Sequence, residues 1–485
     1  MLKPGRNCWR IENASRAAMI VDAASYFEHA RNAMLQAKSQ IFLIGWDFDT
    51  RIDLARSGAS DGAPTVLGPL LSHLSRMRPE LKIYVIAWDQ GLISVPGRGT
   101  TALRLLKWRW DGVRMKWDSA HPLEASHHQK ILVIDDSVAF CGGIDITAER
   151  WDTREHGDEE PGRKRPFTKR RYGPWHDATM AVEGDVARAI GDLARLRWKI
   201  CTGEELQPPG ETGSRWPRGL KPGFHDVPVA VARTRAPIQD YEEVREIEAL
   251  FVDLIRAARD RIYIETQYFA SRKVAEALAD RLAKRNAPEV VVINPRTGED
   301  WLDDAVMSAA RYHLLKAVRE ADRYGRFQIY SPVTEGSRDI YVHAKVMIVD
   351  DVFLRVGSAN VNNRSMGLDS ECDLVVDARD DAKARETIRK IECDLLAEHL
   401  GVTARKFEAM LKTQGSLIGA IEALRGSGRT LWPLDPPRPG KFRTAISLDE
   451  TLDPEGKGEI FEPAARPGLM WHLGRNRGQS QSAQP

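Results

Sequence analysis

The apolar positions of this chain fall into two series built on one plan. In the first, Phe27, Ala30, Met34 and Ala37 recur at helical spacing within residues 26–38, which run straight into an apolar stretch at 41–46. In the second, Ile247, Leu250, Phe251, Leu254 and Ile255 mark one face of a helix over 244–259, followed by a strand-like segment at 262–269. Spacings of three and four put side chains on one helical face, whereas short unbroken apolar runs suit strands covered on both sides. Each series then offers another buried strand, at 82–88 and 290–294, and another helix, at 101–108 and 303–320. Short apolar runs follow at 131–134 and 346–349, and an amphipathic helix closes each unit, at 186–198 and 382–400. Strands alternating with helices predict an α/β fold of two similar halves, each a mixed or mostly parallel β-sheet flanked by helices.

Pro208, Pro209, Gly210 and Gly213 between the series are turn and linker residues. The expected division is a first half at 1–205, a linker at 206–224, a second half at 225–402, a C-terminal extension at 403–475 and a polar, disordered tail at 476–485. A chain of 485 residues is long enough for two well-packed units. Its formal charge of only +2 argues against a generally cationic nucleic-acid binder. The five cysteines are dispersed and form no C-x-x-C, which fits free thiols in a reducing compartment and supports neither a disulfide framework nor a zinc site. The N-terminus lacks the apolar core of a secretory signal, and no apolar run approaches the roughly 18 residues that span a bilayer. A cytoplasmic protein with at most peripheral membrane contact is expected.

Chemistry enters through a pattern that occurs twice. His128, Lys130 and Asp135 read H-x-K-x4-D, and so do His343, Lys345 and Asp350. The small-residue turns that follow, Gly142-Gly143-Ile144-Asp145 and Gly357-Ser358-Ala359-Asn360, keep the same offset of 215 positions. One such pattern is expected by chance in roughly a few per cent of chains this long, so a single copy would say little. Two copies in one register point to a single site assembled from both halves. On a strand, residues two apart share a face, so each copy presents an imidazole beside an ammonium.

That set suits a phosphodiester. One neutral imidazole can attack phosphorus and form a phospho-His, while the other donates a proton to the departing oxygen. The two ammonium groups can face the non-bridging oxygens, so no metal or organic cofactor is required. Asp135 and Asp350 lie at the far ends of their strands and read as acceptors for turn amides. His127 has no counterpart in the second copy, where Val342 stands. Asp47 and Asp49 share a strand-face spacing, but no second cluster has convincing metal-ligand spacing.

The duplicated motif resembles that of the phospholipase D superfamily, over most of residues 20–400. The segments HHQKILVIDDSVAFCGGIDIT, IYIETQYF and YVHAKVMIVDD are most similar to phospholipases that resemble the eukaryotic enzymes. The resemblance implies a pseudo-twofold pair of halves around one shared site, with His128 as nucleophile and His343 as general acid. It also implies a carboxylate from each half orienting the opposite imidazole, Glu371 for His128 and Asp177 for His343. Asn360 and Ser358 can donate hydrogen bonds to a phosphate, whereas an ionised Asp145 cannot.

The activity so implied is hydrolysis of phosphatidylcholine or phosphatidylethanolamine to phosphatidate and headgroup, with transphosphatidylation when an alcohol replaces water. Phosphatidyl transfer of the cardiolipin synthase type is the alternative, and a nuclease is disfavoured by the charge balance. The partner is then a phospholipid membrane surface, with no nucleic acid, and the chain a monomer. An insert at 161–171, absent from the second copy, carries Arg163, Lys164, Arg165, Lys169, Arg170 and Arg171. Its plain reading is a solvated charged loop; the sharper one is contact with anionic headgroups.

Overall fold

A computed structural model describes residues 1–56, 58–89, 112–122, 124–210, 213–298 and 301–435. The helix expected at 101–108, the tail at 476–485 and the extension beyond 435 lie outside the described residues. In the first half the helix Ala23–Gln36 leads into the strand Gln40–Gly45, and Lys82–Trp88 follows. In the second, Glu246–Ala257 leads into Arg261–Glu265, then Glu289–Ile293 and the helix Trp301–Ala321. The closing helices are Asp185–Thr202 and Ala382–His399.

One sixteen-stranded sheet runs through both halves, and Trp175–His176 with Tyr341–Val342 forms a separate two-stranded ladder. The three outermost strands contributed by each half's repeat are parallel: Gln40–Gly45, Lys82–Trp88 and Val113–Asp118 in one, Arg261–Glu265, Glu289–Ile293 and Phe327–Val333 in the other. Inward of these every ladder is antiparallel. The connections explain the switch. The helices Leu67–Met77 and Arg272–Leu282 provide the crossovers that parallel neighbours need, whereas only residues 135–137 separate Ile131–Ile134 from Val138–Gly142. The sheet is therefore mixed, with parallel pairing confined to its outer parts.

The halves join through two strands that the apolar pattern does not announce. Arg10–Val21 and Phe224–Arg235, 12 residues each, pair antiparallel and make the sheet continuous. Polar residues such as Glu12, Ser15 and Arg16 break the periodicity of the first. Alternating Val227, Val229 and Val231, all buried, are the signal that marks the second. Around this ladder the core draws on both halves: Phe42, Tyr84 and Trp198 share one apolar cluster with Val346, Leu374 and Leu396. Phe42 stacks on Tyr84 at 4.9 Å, and Tyr84 meets Trp198 edge-on at 4.8 Å, geometries worth about 1 kcal/mol each beyond their area. In the extension, the helices Ala404–Gln414 and Leu417–Leu424 precede the strand Thr430–Pro433, which caps the sheet edge at Phe327–Val333.

Candidate active site

His128 and Lys130 precede the strand Ile131–Ile134, and His343 and Lys345 precede Val346–Val349. Their segments leave the ladder of their own half and pair with the other. His127 bridges Ser370, with the His128 amide donating to the Ser370 carbonyl at 3.0 Å. By the same logic Val342 pairs with His176, and the His343 amide donates to the His176 carbonyl at 2.8 Å. Ser370 and His176 are the residues directly before Glu371 and Asp177. The crossed pairing of backbones thus sets each carboxylate beside the histidine of the opposite half.

The side chains complete the cross. His128 Nδ1 lies 3.0 and 3.1 Å from the two Glu371 oxygens, and His343 Nδ1 lies 2.7 Å from Asp177 Oδ2. A carboxylate at Nδ1 takes that N–H, which fixes the tautomer and leaves the Nε2 lone pair for chemistry. Lys130 Nζ folds back to the His128 carbonyl at 3.1 Å, and Lys345 Nζ makes the same bond to the His343 carbonyl. Both ammonium groups are close enough to act on both imidazoles. Burial, then Lys130 and Lys345, hold the His128 pKa well below the ordinary value. Burial, Lys345 and Arg150 do the same for His343. Burial also brings the Lys345 ammonium down to about 7, against the pull of Asp177.

The two lysines differ in their partners. Lys130 forms a buried ion pair with Asp145 Oδ2 at 3.1 Å, while Asp145 Oδ1 accepts the Trp46 amide at 3.0 Å. Asn360 stands at the equivalent position and brings no charge; its buried Oδ1 has no hydrogen-bond partner among the described residues. Asp145 is thereby a lysine holder, and Asn360 is left with an unsatisfied polar atom at the site.

Ser358 requires a correction. Its hydroxyl is fully buried and donates to Glu371 Oε2 while accepting the Cys372 amide at 3.0 Å, so it is not available to a phosphate. Ser365 adds a bond to Glu371 Oε1 at 2.7 Å. Burial pushes the Glu371 pKa upward, and the Ser358 hydroxyl leads the groups that oppose it. In the first half the matching residue is Gly143, and the reason is steric. A Cβ there would lie 2.1 Å from Asp177 Oδ1 and 3.2 Å from the His343 carbonyl. Aspartate is one methylene shorter than glutamate, and it reaches its histidine only because Gly143 leaves the space.

Asp135 and Asp350 sit at the far ends of the motif strands, both at positive φ. Asp135 accepts the amides of Lys38, Ser39 and Gln40, each at 2.8 Å, and the Arg215 guanidinium at 2.8 Å. Asp350 accepts the amides of Arg259, Asp260 and Arg261 at 2.7–2.9 Å. Each ties its motif strand to the start of the neighbouring strand. Of the metal candidates, Asp49 is ion-paired to Arg51 and Asp47 accepts the Thr147 hydroxyl.

Behind Asp177 lies a buried polar network that the sequence pattern does not reveal. Asp22 accepts the Asp177 amide at 3.1 Å. His176 Nδ1 faces Glu398 at 3.1 Å and its Nε2 faces Glu265 at 3.0 Å, which also meets His399 at 3.0 Å. His156 bridges Asp152 at 3.0 Å and Glu398 at 3.1 Å. Asp22, His156, His176 and Glu398 are close enough to serve as a cation's ligands. As they stand, each of these imidazoles already bonds carboxylates through both nitrogens. Against the downward pull of burial, Asp22, Asp152 and Glu398 hold the His156 pKa at about 9, and Glu265 and Glu398 hold that of His176 well above its ordinary value. Both imidazoles are thereby biased toward their charged form among the buried acids. The sequence signal was slight: His156 follows Asp152 by four residues, and Glu398 and His399 end the closing helix.

Beside His343 opens a cavity of about 230 Å³, lined in part by Glu149, Tyr172, Trp175, Arg296, Asp339 and Tyr341. Trp175 is its inner wall, with its ring 5.1 Å from that of His343 and stacked on Tyr341 at 4.7 Å. The Arg150 guanidinium lies over the Trp175 ring, 4.2 Å from its centroid. Among the described residues no helix is long and apolar enough to cross a membrane.

Comparison with known proteins finds relatives of two named activities and one shared fold. A family model described as "Cardiolipin synthase, PLD-like domain" matches residues 251–393. Phospholipase D alpha 2 of Arabidopsis thaliana is 24% identical over 79% of this chain and 64% of its own length. Cardiolipin synthase A of Pseudomonas fluorescens is 27% identical over 78% of this chain and 67% of its own length. Phospholipase D A of Dictyostelium discoideum is 23% identical, and the chain spans only 33% of that protein. The phosphatidylserine synthase of Haemophilus influenzae Rd KW20 shares the fold, with a TM-score of 0.53 at 14% identity over 78% of this chain and 86% of its own.

Proposed function

Because the chain belongs to the phospholipase D superfamily of phosphodiesterases and phosphatidyltransferases, we propose that it cleaves glycerophospholipids, releasing the headgroup of phosphatidylcholine or phosphatidylethanolamine. The observation that carries this reading is the crossed pair of histidine–carboxylate couples, each with Nε2 left for chemistry and a lysine alongside. His128 Nε2 attacks phosphorus as the bond to the headgroup oxygen breaks, and His343 gives that oxygen its proton. Water, or an acceptor alcohol, then gives a proton back to His343 and attacks the phospho-His, releasing phosphatidate or a phosphatidyl alcohol. Lys130 and Lys345 neutralise the non-bridging oxygens, and the amide side chain of Asn360 can donate to one of them.

Burial and the neighbouring cations favour the neutral form of both imidazoles, which suits the nucleophile more than the acid. A phosphodiester anion placed among Lys130, Lys345 and Arg150 offsets the positive charge that depresses His343. Substrate binding thus raises the proton affinity of the group that must donate.

Phosphatidyl transfer as the main reaction is the second reading, favoured by the family model and by the 27%-identical cardiolipin synthase. Incubation with phosphatidylcholine, phosphatidylethanolamine and phosphatidylglycerol vesicles, with and without ethanol, separates the two. Phosphatidate and free headgroup, diverted to phosphatidylethanol by the alcohol, support the hydrolase; cardiolipin plus glycerol from phosphatidylglycerol supports the transferase. His128→Ala should form no phospho-enzyme, and His343→Ala should accumulate it from a substrate with an activated leaving group. Normal turnover by His128→Ala would remove the nucleophile assignment, and cleavage of oligonucleotides but of no lipid would remove the lipid reading.

A further inference from the structure

The insert at 161–171 is a shaped element. Lys164 bridges Arg171, the Arg165 amide donates to the Arg170 carbonyl at 2.9 Å, and the Lys169 amide donates back to the Arg165 carbonyl at 3.1 Å. These bonds close a tight hairpin whose tip is Pro166-Phe167-Thr168-Lys169, with Lys169 at a φ of 57°. Phe167 at that tip is 70% exposed, the most exposed of the large apolar side chains recorded among the described residues. Among the described residues, the Arg51 guanidinium approaches its ring at 5.7 Å from the centroid.

The basic residues of the hairpin divide into two kinds. Arg163 is buried at the base, bonded to Asp152 Oδ2 at 3.0 Å and to the carbonyls of Gly157 and Asp158. It is a structural bolt, and this corrects its place among the headgroup-facing residues. Arg165 and Arg171 pair with Glu149 and Glu159. Lys164, Lys169 and Arg170 are exposed and make no ion pair among the described residues. The tip is an exposed aromatic ring flanked by three uncommitted cations.

The base of the hairpin is rigidly coupled to the site. Asp152, which holds Arg163, also accepts the Trp175 amide at 2.9 Å, in the segment that carries Asp177. Asp158 accepts the Gly336 amide at 2.8 Å, fastening the loop to the second half. Glu149, which holds Arg165, lines the 230 Å³ cavity beside His343 together with Tyr172, immediately after the hairpin.

We propose that this hairpin is a membrane-docking element: Phe167 inserts among the acyl chains of an anionic phospholipid surface, Lys164, Lys169 and Arg170 bind its headgroups, and the Trp175–Tyr341 cavity is thereby held at the interface. An exposed aromatic alone would be an aggregation liability, and a charge run alone would be a solvated face. The two together on a fixed hairpin match an interface that is apolar inside and anionic outside. The inference rests on the lipid reading above for its meaning, but not for its test.

The test measures sedimentation with sucrose-loaded vesicles of phosphatidylglycerol and phosphatidylcholine in equal parts, at low and high salt. Neutralising the three cations (K164Q, K169Q and R170Q together) should weaken partitioning about a hundredfold at low salt and far less at high salt, since each basic residue contributes on the order of fivefold. Phe167→Ser should weaken it about tenfold at both salt concentrations. A nitroxide on F167C should be shielded from aqueous quenchers only when anionic vesicles are present. Hydrolysis of a short-chain phosphatidylcholine below its micelle concentration should stay at the wild-type rate in all of them. Unchanged partitioning by both variants, or a solvent-exposed nitroxide on bound protein, overturns the docking element while short-chain hydrolysis leaves the lipid reading intact. Wild-type docking without any lipid turnover would do the reverse, and binding of these cations to single-stranded DNA in place of vesicles would also overturn the proposal.

Discussion

Replacing Gly143 by alanine should disable His343 without replacing any residue that meets the substrate. The added Cβ would sit 2.1 Å from Asp177 Oδ1, more than an ångström inside ordinary contact, which begins near 3.4 Å. Oδ1 has little freedom to yield, because it accepts the Ala178 amide at 2.8 Å while its sister oxygen holds His343 at 2.7 Å. Moving the carboxylate by that distance sacrifices a charge-assisted bond worth about 1.5–3 kcal/mol and turns the imidazole away from its working position. Misplacement of a catalytic group by about 1 Å costs about a hundredfold in rate. We therefore expect kcat on phosphatidylcholine to fall about a hundredfold, with a stability loss of about 1–3 kcal/mol from the overpacked site.

The assay that isolates the cause compares leaving groups. A p-nitrophenyl phosphodiester needs no proton on departure, so its first turnover should remain fast and appear as a burst, followed by slow breakdown of the phospho-His. Phosphatidylcholine, which needs the proton in the first step, should show no burst. Wild-type turnover by Gly143→Ala, or an equal slowing of both first steps, would refute the argument that Gly143 exists to admit Asp177.

In the other half, Ser358→Ala removes the leading group that opposes the rise of the Glu371 pKa. Glu371 should then lose its charge at a higher pH, and the acid limb of the kcat/KM profile should move upward; an unmoved limb would contradict the assignment. Asp135→Ala orphans three amides and Arg215 and should cost about 2–4 kcal/mol in urea unfolding, more than Asp350→Ala. Activity per folded molecule should persist in both. His156 is held at about 9 against an ordinary 6.5, so the stability it contributes is fully present below pH 6.5 and is lost as the pH rises through 9. His156→Gln should flatten the fall of Tm across that window, and an unchanged slope would show that His156 does not titrate there.

Much of this molecule is written in local pattern. The helix–strand units, the doubled H-x-K-x4-D and its offset of 215 positions are properties of short stretches, because side-chain periodicity and residue type are both readable within a dozen residues. The place of Asp135 and Asp350 at strand ends belongs here too, since a strand's length sets where its last residue stands. What the chain alone did not determine are the approaches across sequence. His128 meets Glu371 over 243 positions and His343 meets Asp177 over 166, and only the crossed backbone pairing through Ser370 and His176 decides them. The same holds for the strand Arg10–Val21, whose mixed polarity makes sense only beside Phe224–Arg235. It holds for Ser358, whose hydroxyl looked free for a phosphate until Glu371 was placed against it. Residue type specifies what a side chain can do; which partner reaches it depends on how two halves pack, and that is a property of the whole fold.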